Sequence, residues 1–118
     1  MTCIVILEVT AKKGAGIQLV ETFRALLPDT RNKDGCQGVE VTTNLDNADN
    51  LVLVQRWATR KHYENYLAWR QQRGDVDKLA EASAGPPSIR YFDLTMIVDN
   101  EAGTVTEFPP NAAAEAAE

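Results

Sequence analysis

The chain alternates between two hydrophobic periods, and the alternation predicts its elements. Residues 3–10, CIVILEVT, repeat every second position: Cys3, Val5, Leu7 and Val9 fall on one face, Ile4, Ile6, Glu8 and Thr10 on the other. That is the pattern of a strand. From about Gly14 to Leu27 the period becomes helical, with Ile17, Leu19, Val20, Phe23, Leu26 and Leu27 on one half of the wheel. Pro28 lacks an amide hydrogen and is expected to end or kink this helix, or Asp29 to Lys33 continue it for a turn, before Asp34-Gly35 breaks the pattern. Residues 37–44, QGVEVTTN, alternate again as a half-exposed strand, and the Asp- and Asn-rich Leu45 to Asn50 reads as a hairpin turn. Leu51 to Val54 is a continuous apolar run, a strand that ends at Trp57. Thr59 is placed to cap a helix and Gly74 to stop it. On that helix Trp69, His62, Tyr66, Arg70, Tyr63 and Leu67 share one arc, with Glu64, Gln71, Lys61 and Gln72 opposite. A short helical piece, Val76 to Ala82, follows, and Gly85-Pro86-Pro87 stops it. Residues 88–98, SIRYFDLTMIV, complete the set as one long strand.

The order β, α, β, β, α, β predicts an α+β fold of ferredoxin-like topology, an antiparallel sheet with the helices on one face. The first strand should sit between the third and fourth, and the second should pair only with the third. Cys3 and Cys36 would then lie on strands that are not neighbours, which disfavours a disulfide. The first, third and fourth strands carry apolar residues on both faces, whereas the helices cover one. A second copy of the sheet is the simplest cover for the other, so a homodimer is expected. Residues 1–98 form the domain on this reading. Residues 99–118 form a C-terminal arm, in which TVTEF has strand character and the Ala- and Glu-rich end does not. The arm is expected to lie across the partner subunit or to add an edge strand.

At 118 residues the chain suits one domain. A net charge of −5, with Lys and Arg scattered, argues against a nucleic-acid partner. No apolar run approaches the ~20 residues of a membrane span and no signal-peptide pattern is present, so the expectation is a cytoplasmic protein with reduced thiols. There is no Gly-rich phosphate loop, and the single histidine, His62, has no paired ligands, so neither cofactor nor metal is expected. The aromatic arc either lines a cavity or packs as core with its polar tips at the rim. Both readings are open at this point.

Five stretches, EVTAKKGAG, LLPDTRNKDGC, TTNLDNADN, QRWATRKHYENYLAWR and RYFDL, together resemble the antibiotic biosynthesis monooxygenase family over residues 3 to about 98. The resemblance implies ferredoxin-like protomers that pair sheet to sheet as a dimeric α+β barrel. Characterised members include cofactor-free oxygenases of anthrone-like polyketides and of quinols, and haem-degrading enzymes. Trp57 and Tyr63 match pocket-lining aromatic positions of the polyketide oxygenases. Tyr66 stands where many quinol-oxidising relatives carry a histidine. The first strand lacks the Asn of the haem degraders, and His62 is near the helix start, which puts haem degradation in doubt. The implied function is a cofactor-independent monooxygenase of an electron-rich aromatic, anthrone- or quinol-like. The alternative is a non-catalytic dimeric binding or sensing module.

The catalytic candidates are Trp57, Tyr63, Tyr66, Arg70 and His62, and the substrate-binding candidates are Trp57, Tyr63, Tyr66, Trp69 and Asn44. Trp57 and Trp69 would wall a dry pocket, with Tyr63, Tyr66 and Arg70 as donors to a substrate anion. An arginine on that arc must pair or snorkel, and a salt bridge is its competing role. His62 would act as base, its reference pKa of about 6.5 suiting proton transfer near neutrality. Its competing role is packing, and that of Asn44 is to cap the turn after its strand.

Overall fold

A computed structural model describes residues 2–99 and 103–109. The elements are β1 (Cys3–Thr10), α1 (Gly16–Arg31), β2 (Cys36–Asn44), β3 (Asn47–Trp57), α2 (Arg60–Arg73), α3 (Asp75–Ala82), β4 (Ser88–Asp93), β5 (Met96–Val98) and β6 (Val105–Glu107). β1 to β4 form one antiparallel sheet in the order β2-β3-β1-β4, the ferredoxin-like arrangement that the pattern predicted. Cys3 and Cys36 both pair with Trp57, from opposite sides. Two strand spacings of about 4.8 Å separate them, beyond disulfide reach, and both are buried thiols.

Period-two alternation sends Cys3, Val5, Leu7 and Val9 of β1, and Leu51, Leu53, Gln55 and Trp57 of β3, to one buried face. Leu19 and Phe23 of α1 pack on its Val9–Leu51 end, and Tyr63 of α2 on its Cys3–Trp57 end. The opposite face carries Ile4, Ile6, Val52, Val54 and Phe92 by register. Among the described residues no helix covers it, and Phe92 is 47% exposed.

Two boundaries differ from the sequence expectation and one that it left open is resolved. The open one is α1, which continues through Pro28 to Arg31. The proline forfeits one hydrogen bond, and tertiary contacts hold the turn beyond it. Arg70 donates to the Leu26 carbonyl (2.8 Å) and to Thr30 (3.0 Å), and Arg31 to the Cys36 carbonyl (2.9 Å). β3 begins at Asn47, not Leu51, because local Asn bonds tighten the turn to two residues. Asn44 accepts from the Asp46 amide (2.8 Å) and Asn47 from the Asp49 amide (3.1 Å). The last strand is also not continuous over 88–98. Its template β1 ends at Cys3, opposite Asp93. Beyond that point β5 pairs with β6 in a separate hairpin, Met96 opposite Glu107 and Val98 opposite Val105. The strand character of TVTEF is thus realised against the chain's own β5. Residues 100–102 and 110–118 of the arm lie outside the described residues.

Candidate functional site

β3 and α2 build the site. At the end of β3, Trp57 is fully buried and donates its indole N–H to Gln55 Oε1 (3.1 Å). After Ala58 the chain turns into α2. Thr59 caps it by accepting from the His62 amide (3.1 Å), and Gly74 closes it in the left-handed conformation (φ 83°). With both ends fixed, α2 turns Tyr63 and Arg70 inward as its buried members.

The aromatic rings touch in sequence. Tyr63 meets Trp57 edge-on (5.6 Å between centroids), Tyr91 edge-on (5.8 Å) and Tyr66 (5.8 Å). Tyr66 lies 5.0 Å from Trp57 and 6.2 Å from Trp69. Burial raises the Tyr63 pKa well above the ordinary tyrosine value, and the neighbouring Tyr91 and Tyr66 add to the shift. Tyr91 is raised too, mainly by burial, with Arg60 over its ring opposing.

Beside this cluster, between the sheet and all three helices, lies a cavity of about 80 Å³. Leu7, Phe23, Leu53 and Leu67 give it apolar walls; Gln55, Tyr63, Tyr66, Arg70 and Asp75 are its polar lining. Arg70 is 4% exposed and is held by four hydrogen bonds. Nε donates to Tyr66 OH (3.0 Å), one terminal nitrogen to Asp75 (2.9 Å), and the other to the Leu26 carbonyl (2.8 Å) and Thr30 Oγ1 (3.0 Å). Thr30 and Tyr66 share a further hydrogen bond of 2.7 Å. Asp75 also accepts from Arg73 (3.1 Å). Burial works against the Asp75 carboxylate, but the bonds and charges of Arg70 and Arg73 outweigh it and hold its pKa below the usual value. For Arg70 burial is again the largest opposing influence, and Tyr66 and Asp75 more than offset it.

The structure brings some sequence candidates together and separates others. Tyr63, Tyr66 and Arg70 line the cavity, and Trp57 backs it through Tyr63, Tyr66 and Gln55. Trp69 turns to the outer surface, where Lys33 Nζ sits 3.5 Å above its ring and the Arg73 and Arg70 guanidinium carbons lie 5.0 and 4.7 Å away. His62 is in an outer groove with Lys33, Asn65 and Trp69. Its Nδ1 bonds Thr59 (2.8 Å) and its Nε2 lies 3.6 Å from Asp34. Gly35 packs so closely on it that a Cβ there would collide with the imidazole. Asn44 lies at the far end of β3 from Trp57, where it bonds Asn50 (3.0 Å) and the turn. Sequence reasoning missed Gln55, Thr30 and Asp75. The signal for Gln55 was available, since it shares the inward parity of Leu51, Leu53 and Trp57. Among the described residues no three His, Cys, Asp or Glu side chains group as a metal site, and no helix is long and apolar enough to cross a membrane.

Residues 2–73 match the family described as antibiotic biosynthesis monooxygenase. No curated protein matches the chain. Among solved structures, one described as an antibiotic biosynthesis monooxygenase is similar with a TM-score of 0.70 at 16% identity, covering 79% of this chain and 98% of its own. A conserved protein from Methanosarcina mazei gives 0.70 at 15% identity, covering 78% and 91%. A protein from Mycobacterium tuberculosis gives 0.65 at 21% identity, covering 84% and 100%. At such identities the likeness speaks to the fold.

Proposed function

The chain belongs to the antibiotic biosynthesis monooxygenase family, and on that basis we propose that it is a cofactor-independent monooxygenase acting on a single-ring phenol or hydroquinone. The observation that carries this reading is the cavity under Tyr63 and Tyr66, apolar on most sides and edged by hydroxyl groups. Its volume of about 80 Å³ is below the ~150 Å³ that admits benzene in an engineered core. One ring entering with some yielding of α3 is the upper limit, so the three fused rings of an anthrone are disfavoured against a quinol.

The chemistry needs the substrate as its anion, which passes an electron to O₂; the radical pair then combines and loses water. Overall a hydroquinone, C₆H₆O₂, and O₂ give a hydroxyquinone, C₆H₄O₃, and H₂O. One oxygen atom enters the ring and the other leaves as water. The protein contributes a site from which water is excluded and donors that favour the phenolate. Asp75 is a poor base, because its arginine partners stabilise its anion. Deprotonation therefore relies on hydrogen-bond donors that stabilise the phenolate and so lower the pKa of the bound phenol, with the proton passing to solvent. The uncommitted base also keeps a second reading in view, a binding or sensing module that holds the same ring without turnover.

Homodimer formation through the open sheet face belongs to the same proposal. Ile4, Ile6, Val52, Val54 and Phe92 would be covered by their counterparts, and the β5–β6 hairpin, with Met96, Ile97, Val98 and Val105 exposed, would lie over the partner. A cytoplasmic location accords with the two reduced cysteines.

Oxygen uptake by chelator-treated protein with a panel of phenols and hydroquinones tests the function, alongside Trp57→Ala and Tyr63→Phe variants that still fold. Uptake that depends on the protein and falls at least tenfold in Trp57→Ala is expected. Tight binding without uptake favours the sensing module, and neither binding nor uptake across the panel overturns both readings.

A further inference from the structure

Gln55 is 3% exposed, at the centre of the sheet between Val5 of β1 and Val39 of β2. An indole N–H can only donate, so the Trp57 bond (3.1 Å) fixes the amide with its oxygen toward the indole. The amino end, with two N–H donors, is left for the other side, and among the described residues it has no hydrogen-bond partner. Gln55 itself lines the cavity.

Two further donor groups stand at this wall: Tyr63 and Tyr66 line the cavity, and Thr30 lies behind them, bonded to Tyr66 and Arg70. The Tyr63 hydroxyl, on a residue 1% exposed, also has no hydrogen-bond partner among the described residues. Thr30 and Tyr66 supply two hydroxyl protons but share a single contact of 2.7 Å, and each oxygen already accepts from Arg70. Whichever hydroxyl donates to the other, one proton of the pair remains to be given elsewhere. A buried donor left unmade costs free energy, so a wall with more than one is incomplete as it stands. The single carboxylate on it, Asp75, has its Oδ2 committed to Arg70 and Arg73.

We propose that the cavity selects a ligand carrying an acceptor oxygen, a carbonyl or phenolate, and that the amide of Gln55 is the donor that fixes this oxygen. This rests on the cavity being the ligand site and adds the chemistry it selects for. Gln55 thereby becomes a specificity-determining residue, with Tyr63 as the second donor. A ring bound oxygen-first presents its opposite edge toward α3.

Benzaldehyde and toluene are close in shape and differ by one acceptor oxygen. Their dissociation constants, measured by NMR titration of the full chain, test the proposal. Benzaldehyde should bind about fivefold to tenfold more tightly, the factor expected of one buried hydrogen bond. It should also shift the Gln55 side-chain amide resonances, which toluene should not. In Gln55→Leu, and in Gln55→Met, whose thioether can still accept weakly from the indole, the preference should vanish while toluene affinity is kept. A preference that survives in both folded variants overturns the assignment to Gln55. Equal binding of the two probes by the wild type overturns the acceptor selectivity and leaves the cavity reading standing. If neither probe binds, both fall. The amide shifts of the wild type decide the matter even if a variant fails to fold.

Discussion

Replacing Arg70 with methionine keeps the length and apolar stem of the side chain and deletes its guanidinium. The structure makes the cost calculable. Four hydrogen bonds are lost at once, to Tyr66, Asp75, Leu26 and Thr30. They join α1, α2 and the start of α3, so no one helix can relax to replace them. Asp75, 13% exposed at its side chain, keeps Arg73 as its cation. Breaking a buried ion pair by removing one partner typically costs about 3–5 kcal/mol. In a chain of this size that is a fall in Tm of roughly 10–20 °C, and a large part of a typical total of about 5–15 kcal/mol. Urea unfolding followed by tryptophan fluorescence measures it, with unchanged m-value as the sign that both states keep their extent. The double variant Arg70→Met/Asp75→Leu should recover part of the loss, because the half-compensated carboxylate left with Arg73 alone is gone too. A loss below about 1 kcal/mol for Arg70→Met would refute the reasoning. It would mean that the guanidinium is not committed to the fold and is available to substrate.

Three more expectations follow from the same geometry. Asp75 has a depressed pKa in the fold, so its contribution is present above the unfolded value of about 3.9 and is lost as pH falls through the folded one. The stability gap between wild type and Asp75→Asn should be flat above about pH 5 and shrink in more acid urea titrations; a pH-independent gap contradicts it. Tyr63 has a raised pKa, so the folded chain keeps a proton that the unfolded chain releases near pH 10. Wild-type stability should fall above that pH more steeply than that of Tyr63→Phe, and parallel curves would refute this. Deleting residues 95–118, the β5–β6 hairpin with the rest of the arm, should weaken a dimer measured by sedimentation at least tenfold. An unchanged dissociation constant, or a wild type that sediments as a monomer, rules out the arm's role or the dimer itself.

How far the sequence was legible depended on whether the signal was local. The Thr59 cap and Gly74 stop act within one turn, and both stand where the pattern put them. The strand order followed from the element order β, α, β, β, α, β. Pro28 left the helix end open in the sequence because the turn beyond it is held from α2, by Arg70, 44 and 40 residues away from its partners Leu26 and Thr30. The break after Asp93 was invisible because SIRYFDLTMIV has unbroken strand character, and what ends the pairing is the start of β1. In the site, the helical period alone placed Tyr63 and Arg70 on one arc of α2. It could not tell that Trp69, on the same arc, turns outward under Lys33 and Arg73. Nor could it show that Arg70 would spend its donors on Thr30 and Asp75. Gln55 was readable as an inward polar residue, but its orientation depends on the Trp57 indole.

If a single aromatic ring binds beneath Tyr63 and Tyr66, as proposed, it can be located there directly. Isotope-filtered NOE spectra of the protein with hydroquinone, kept free of oxygen, report which side chains lie within about 5 Å of the ligand ring. NOEs to Leu53, Leu67, Tyr63 and Tyr66 are expected. NOEs confined to Ile4, Ile6 and Phe92 on the open sheet face, or to His62 and Trp69 in the outer groove, would contradict the proposal.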